Sequence, residues 1–402
     1  MYMPHNLLAF LGCLCILTGL FVSRALMSIG MMLLTGNAIV HVKLFEHLRS
    51  FISKPHLWLL SVYAICIAVS FFWSTDTAYF IERMQIALPF LVLPFAFHST
   101  NRFDIRWYDA LFYVFILLTC AGIGWSLFHY FQNKEAFDAG YGLSRVIPTP
   151  FKNDHIRFSL AVVLSICFSA DLLARIRIKS IRILFIVVIL FAILYLHILS
   201  AKTGLLVFYM ISMLFLAKHI FHKPSRKTAI ALLFALIALP LLMYTISASF
   251  RNKIGYVGYS ISQIKNNQKE ANISDEGRII SYGYAWDAIS KHPLKGIGLG
   301  DVRNEMATYY KRDFGSLPVT VLLPHNQFLM TGMAIGIPGI LLLLILQWVL
   351  GRRCYRHDFL SFAFWAMMFF AMMVEPLFET QYGTCMFVFF LLLLLHRRTK
   401  TE

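Results

Sequence analysis

Apolar residues run through this chain in long blocks separated by short polar segments. A spanning helix needs about 20 apolar residues, and twelve blocks are candidates: 6–22, 25–42, 57–73, 80–97, 107–130, 155–173, 183–199, 203–220, 228–248, 325–349, 359–375 and 384–396. The first block lacks a basic leader and a small-residue cleavage site, so it reads as a spanning helix and not a removed signal peptide. The polar segment 249–324 has a different rhythm. There Ile254, Val257, Ile261 and Ile264 repeat at helical spacing beside Lys253 and Lys265, the pattern of a helix lying in a membrane surface. Ile279, Tyr282, Trp286 and Ile289 predict one apolar face of a second helix, which Pro293 stops. The expected fold is all-α: a polytopic membrane protein of about twelve transmembrane helices, with one large helical loop on the outer side. The expected divisions are 1–248 (helices one to nine), 249–324 (the loop) and 325–402 (helices ten to twelve and a tail).

Composition agrees. Of 402 residues, 59% are hydrophobic and 14% charged, against about 25% charged in soluble domains. Charge orients the spans, because short cytoplasmic loops are rich in Lys and Arg. With both termini cytoplasmic, segments 41–56, 98–106, 174–182, 221–227, 351–358 and 396–402 hold eighteen of the 36 basic residues. The opposite side receives short turns and the longer segments 131–154 and 249–324. The latter carries ten basic and seven acidic residues, but long loops cross largely regardless of charge. About half of the basic residues are thus topology signals, the net charge of +16 needs no nucleic acid, and no nucleic-acid partner is expected. Cys13, Cys15, Cys66, Cys120, Cys167, Cys354 and Cys385 lie in spans or a cytoplasmic loop, so neither a disulfide nor a zinc site is expected.

The outward side gathers candidate chemistry. The stretch LPHNQFLMTGMAIGIPG places His325 at the start of a helix. At about 100° per residue, Gly332, Gly336 and Gly339 fall within about 60° of the His325 direction. Such a stripe admits another backbone or a lipid chain, and Pro338 should bend the helix. Either the stripe is packing with an incidental histidine, or the helix N-terminus draws an anion and keeps the imidazole neutral as a general base. Arg278 sits near the start of its helix, where the dipole disfavours a cation; it is a solvated arginine or has another partner. Lys202, in the turn LHILSAKTGLLVF, either snorkels or contacts phosphate. In PFKNDHIR, His155 and Arg157 open the sixth span, where Arg157 needs an anionic partner or a place inside the bundle. Glu375 and Glu379 flank the last outer turn, VEPLFETQYG; they bind acceptor hydroxyls or pair with nearby basic residues. A glycosidase-type carboxylate pair stays open, since it depends on their separation. GIGLG is not a dinucleotide loop, because no strand precedes it.

Three segments together resemble a known family. His325-Asn326, nine residues, Gly336, two residues and Gly339 match the His-Asn and Gly-x-x-Gly signature of the O-antigen ligases. GRIISYGYAWDAISKHPLKGIGLGD is similar to that family's outer-loop pattern, and SAKTGLL looks like its Ser-Arg-Gly turn, with Lys202 where an arginine is usual. The resemblance covers roughly residues 150–345. It implies a metal-independent, inverting glycosyltransferase of the GT-C type in the bacterial inner membrane, with its active site in the periplasm and no cofactor. The implied donor is a glycan on undecaprenyl pyrophosphate, and the implied acceptor a sugar hydroxyl of lipid A core. By position, Arg278 and Lys202, with Arg157 sharing the role, would hold the pyrophosphate, and His325 would activate the acceptor hydroxyl. Asn326, His155, Glu375 and Glu379 are candidates for acceptor contacts or support. Lysine offers a point charge where arginine offers a fork, which leaves the Lys202 turn open.

Two alternatives stand beside this one. An O-antigen polymerase would join lipid-linked repeat units, and no motif separates its acceptor pocket from a ligase's. A transporter or flippase would place charges and broken helices near the bilayer midplane; here the unusual charges cluster at the outer edge, and no internal repeat is visible.

Overall fold

Each of the twelve apolar blocks forms a helix in the computed structural model, which describes residues 3–40, 43–142, 145–222, 226–265, 274–315 and 321–397. The described residues contain no strand, so the chain is all-α. Among them, nine helices are long and apolar enough to cross a bilayer singly. The other three predicted spans fall short. Arg24–Ile39 reaches spanning length only when taken together with Leu44–Ile52, and Phe359–Val374 and Gln381–His396 have 16 residues each. Sixteen residues rise about 24 Å, against a hydrocarbon core of about 30 Å.

The chain forms two compact units, Met1–Tyr108 with Gln263–Glu402, and Asp109–Ser262. In the first, the Gln381–His396 helix is the core, buried from Tyr382 to Leu395 on every side. An all-round apolar helix needs such surroundings. Its Phe387 packs on Phe90 and Phe378, and Phe389 on Phe97. The Met3–Val22 and Arg24–Ile39 helices cross tightly through glycines. A methyl group on Gly19 would lie 2.4 Å from the Met27 amide nitrogen, and one on Gly30 would lie 2.6 Å from the Gly12 carbonyl. Between Gln327–His357 and Phe359–Val374, Asp358 ends one helix and caps the next, accepting from the Ser361 amide (2.7 Å) and from Arg397 (2.9 Å).

The Asp109–Ser262 unit is built around the largely buried His155–Arg175 helix, whose Phe168 stacks on Phe112 at 4.0 Å. Arg175 joins both oxygens of Asp109 (2.9 and 2.7 Å) and one of Asp171 (2.9 Å). The starts of His155–Arg175 and Lys202–His222 touch, since a methyl group on Gly204 would sit 2.4 Å from the Ser159 side chain.

Candidate functional site

The long Gln327–His357 helix is not continuous. Ile335 leaves helical geometry (φ −136°, ψ 20°), and Gly336 adopts φ 74°, ψ −169°, a conformation essentially confined to glycine. The break frees main-chain groups that must find other partners, and the His292–Gly298 loop supplies them. Ile297 N–H donates to Met333 O (2.8 Å), Gly298 N–H to Ala334 O (3.1 Å), and Ile337 N–H donates back to Pro293 O (2.7 Å). The HPLKGIG motif is therefore spliced into the helix, with Gly296 and Gly298 at φ 67° and 93° giving it the required turns.

This corrects the expectation of a glycine stripe. The bend lies at Gly336, with Pro338 just beyond it, and the atoms nearest a methyl group on Gly336 belong to the loop: Pro293 O, Leu294 C and Gly296 N. Gly332 packs beside Ile289 and Ile340, and Gly339 beside Ile335. Because the helix breaks, the three glycines do not form one straight face. From Ile337 to His357 the helix is about 30 Å long, one bilayer core.

Beyond the break, side chains from two other segments converge on one carboxylate. Glu375, in the turn after Phe359–Val374, has a side chain only 1% exposed. Its Oε1 accepts from Arg278 Nη2 at 2.6 Å, and its Oε2 faces His325 Nδ1 at 3.1 Å. A carboxylate oxygen is an acceptor, so Nδ1 carries a proton, and in the neutral form of the ring the lone pair lies on Nε2. The Tyr282 hydroxyl donates to the His325 carbonyl (2.8 Å). Burial raises the Tyr282 phenol above its ordinary value, with Glu375 reinforcing and Arg278 opposing the shift, so it stays a donor. Asn326 caps the helix through Oδ1, which accepts from the Phe328 and Leu329 amides (2.8 and 3.0 Å). Its Nδ2 donates to Met373 O at 2.9 Å, tying the helix start to the chain just before Glu375.

The same turn is held at its other end. Gln327 Oε1 accepts from the Phe378 amide (2.8 Å). Arg83 Nη1 donates to the Glu379 carbonyl (2.8 Å) and lies 3.4 Å from its carboxylate, while Nη2 meets Glu82 at 2.5 Å. The Arg83 guanidinium also covers the Tyr79 ring, 4.7 Å from its centre. Glu375 and Glu379 thus pair with different arginines.

Within the Asp109–Ser262 unit, Lys202 begins its helix and stands 5.5 Å from the centre of the Tyr256 ring. Lys253, almost fully buried, stands 5.1 Å from the same ring, so two cations share one aromatic partner. Arg157 is buried in the first turn of its helix, 3.5 Å from Asp154, whose carboxylate caps that helix. His155 is the first residue of that helix and is half-buried. On the Ala248–Lys265 helix, Ile254 and Ile261 face outward, while the Ile264 and Lys265 side chains lie outside the described residues.

The structure therefore brings together His325, Arg278, Glu375 and Asn326 from the sequence candidates, and places Lys202, Arg157 and His155 in the second unit. Tyr282, Gln327 and Arg83 were not singled out as site residues. A signal for Arg83 existed: Glu82 and Arg83 are charges inside the block 80–97, where an ion requires a partner. The buried face of Ser274–Lys291 also differs from the prediction. Ser281, Tyr284, Ala285, Ala288 and Ile289 point inward, while Ile279 and Trp286 are exposed. Small residues on that face permit the close approach of Ile289 to Gly332.

Residues 185–344 match the family model described as O-Antigen ligase. That span includes Lys202, Arg278 and His325, while Glu375 and Arg83 lie outside it. No curated protein matches the chain.

Proposed function

We propose, from the premise that residues 185–344 match the O-antigen ligase family model, that this chain is such an enzyme and transfers a glycan from undecaprenyl pyrophosphate to a sugar hydroxyl of lipid A core. The observation that carries the reading is the Glu375 carboxylate shared by His325 and Arg278. It joins a base and a cation, the two groups that a displacement at an anomeric carbon from a pyrophosphate requires.

In this reading segment 249–324 is the outer loop, both termini are cytoplasmic, and the site faces the periplasm of a bacterial inner membrane. Glu375 holds the Nδ1–H tautomer of His325, and Nε2 takes the proton of the acceptor hydroxyl. The acceptor oxygen bonds to the anomeric carbon as the bond from that carbon to the pyrophosphate oxygen breaks. The electron pair leaves with the pyrophosphate, and one displacement inverts the centre. Arg278 offers its remaining N–H donors to the developing charge. Lys202 and Arg157 keep the pyrophosphate-binding role that the resemblance gives them, supported by the helix starts on which they sit. Asn326 supports His325 by fixing the helix start; His155 and Glu379 are secondary support. These side-chain cations answer the leaving-group charge, so metal independence belongs to the proposal.

Transfer by purified protein tests it, with a defined undecaprenyl-pyrophosphate glycan, lipid A core and a second lipid-linked repeat unit as competing acceptors, and a chelator in a parallel reaction. Decorated lipid A core, undiminished by chelator, is the expected product. Joined repeat units in its place would make the protein a polymerase. No product from either acceptor would favour a transporter, which the family match already disfavours.

A further inference from the structure

Beside the splice lies a cleft of about 410 Å³, floored by the loop residues Gly296 and Ile297 and walled by Trp73, Lys295, Glu305 and Asn304. It belongs to the same compact unit as His325 but shares no lining residue with the Glu375 cluster. Its walls are preformed. Asp301 accepts from the Thr75 amide (2.8 Å), the Thr75 hydroxyl (2.6 Å) and the Asp76 amide (3.0 Å). The Leu299 and Gly300 amides donate to Ser70 and Ser74 (3.1 Å each). Methyl groups on Gly298 and Gly300 would strike Ser74 and Asp76, so the turn at 73–76 and the loop are locked together.

What lines the opening is chemically mixed. Trp73 offers an aromatic wall, Asn304 a planar amide, Lys295 a donor and Glu305 an acceptor. Neither the Lys295 nor the Glu305 side chain forms a hydrogen bond or ion pair among the described residues. The volume is at the small end of the ~300–1,000 Å³ of ligand sites. A purely anionic ligand would waste Glu305, and an apolar one would strand both charges. A pyranose satisfies all of them: its C–H face covers an indole, and adjacent hydroxyls donate and accept together.

We propose that this cleft is a glycan subsite, holding a sugar residue away from the reacting bond. The proposal rests on the glycosyltransferase reading for its biological ligand, but not for the binding itself. Donor glycan and acceptor core share this chemistry, and the experiment separates them.

Purified full-length protein is titrated with two lipid-free probes in ligand-observed NMR. One is the glycan released from the donor by mild acid, and the other the core oligosaccharide released from lipid A. Wild type binds one of them, and Trp73→Ala and Glu305→Gln each weaken that binding roughly tenfold, the equivalent of about 1.4 kcal/mol. Glu305→Gln removes one charge at a half-buried position and guards against misfolding of the tryptophan variant. His325→Ala retains binding. Donor glycan binding assigns the cleft to the donor side, and core binding to the acceptor side. Neither probe binding wild type, unchanged binding in both variants, or loss of binding in His325→Ala would each overturn the subsite. Failure of transfer by wild type with binding intact would instead remove the proposed reaction and leave the subsite standing.

Discussion

Arg278 and His325 occupy opposite oxygens of one carboxylate, 2.6 and 3.1 Å from Glu375, on elements far apart in the chain. The carboxylate is buried, and both partners are partly exposed. Glu375 therefore sets a proton on one partner and the position of the other.

Replacing Glu375 by Gln keeps the shape and removes the charge. Its amide can donate to His325 and favour the wrong tautomer, so the transfer rate should fall roughly 100-fold. Glu375→Asp should lie between. In vitro transfer rates decide this; a Gln variant as fast as wild type would remove Glu375 from the mechanism.

His325→Ala should leave a membrane-inserted protein, since the side chain is partly exposed. Loss of the base should cost about 10²–10⁴ in rate. The readout is decorated lipopolysaccharide at matched protein level, where a normal ladder contradicts the assignment.

Arg278→Ala should raise the donor KM more than Arg278→Lys does, because a lysine keeps the charge but not the fork. Equal KM values for the two variants would show that Arg278 serves structure and not the donor.

Arg83→Met should lower kcat with little change in donor KM, because Arg83 holds the Glu379 end of the turn that carries Glu375. Arg83→Lys should recover part of the rate. A variant that shifts donor KM alone would place Arg83 at the donor instead.

Gly336→Ala should destabilise by about 1–3 kcal/mol from backbone strain, with the clash against the His292–Gly298 loop in addition. Gly124→Ala, in an open helical position, should stabilise by about 0.5–1 kcal/mol. Thermal melting of both in one detergent gives the comparison; equal melting temperatures would deny the splice its structural role.

Helix positions were readable along the chain because helical hydrogen bonds are local and long apolar blocks have few other solutions in a bilayer. All twelve blocks became helices, and the motif residues His325 and Arg278 stood out from their surroundings before any packing was known. The local rules failed where a partner comes from elsewhere. Gly336 looked like one member of a straight stripe, yet the helix opens there and a loop distant in sequence takes up the freed main-chain groups. The inward face of Ser274–Lys291 followed the surface it meets and not its largest side chains. Glu375 had two fates in the linear chain, acceptor contact or pairing with a basic residue. Packing chose between them by burying its carboxylate beside Arg278 and His325, where an unpaired charge would be costly and a paired one is held.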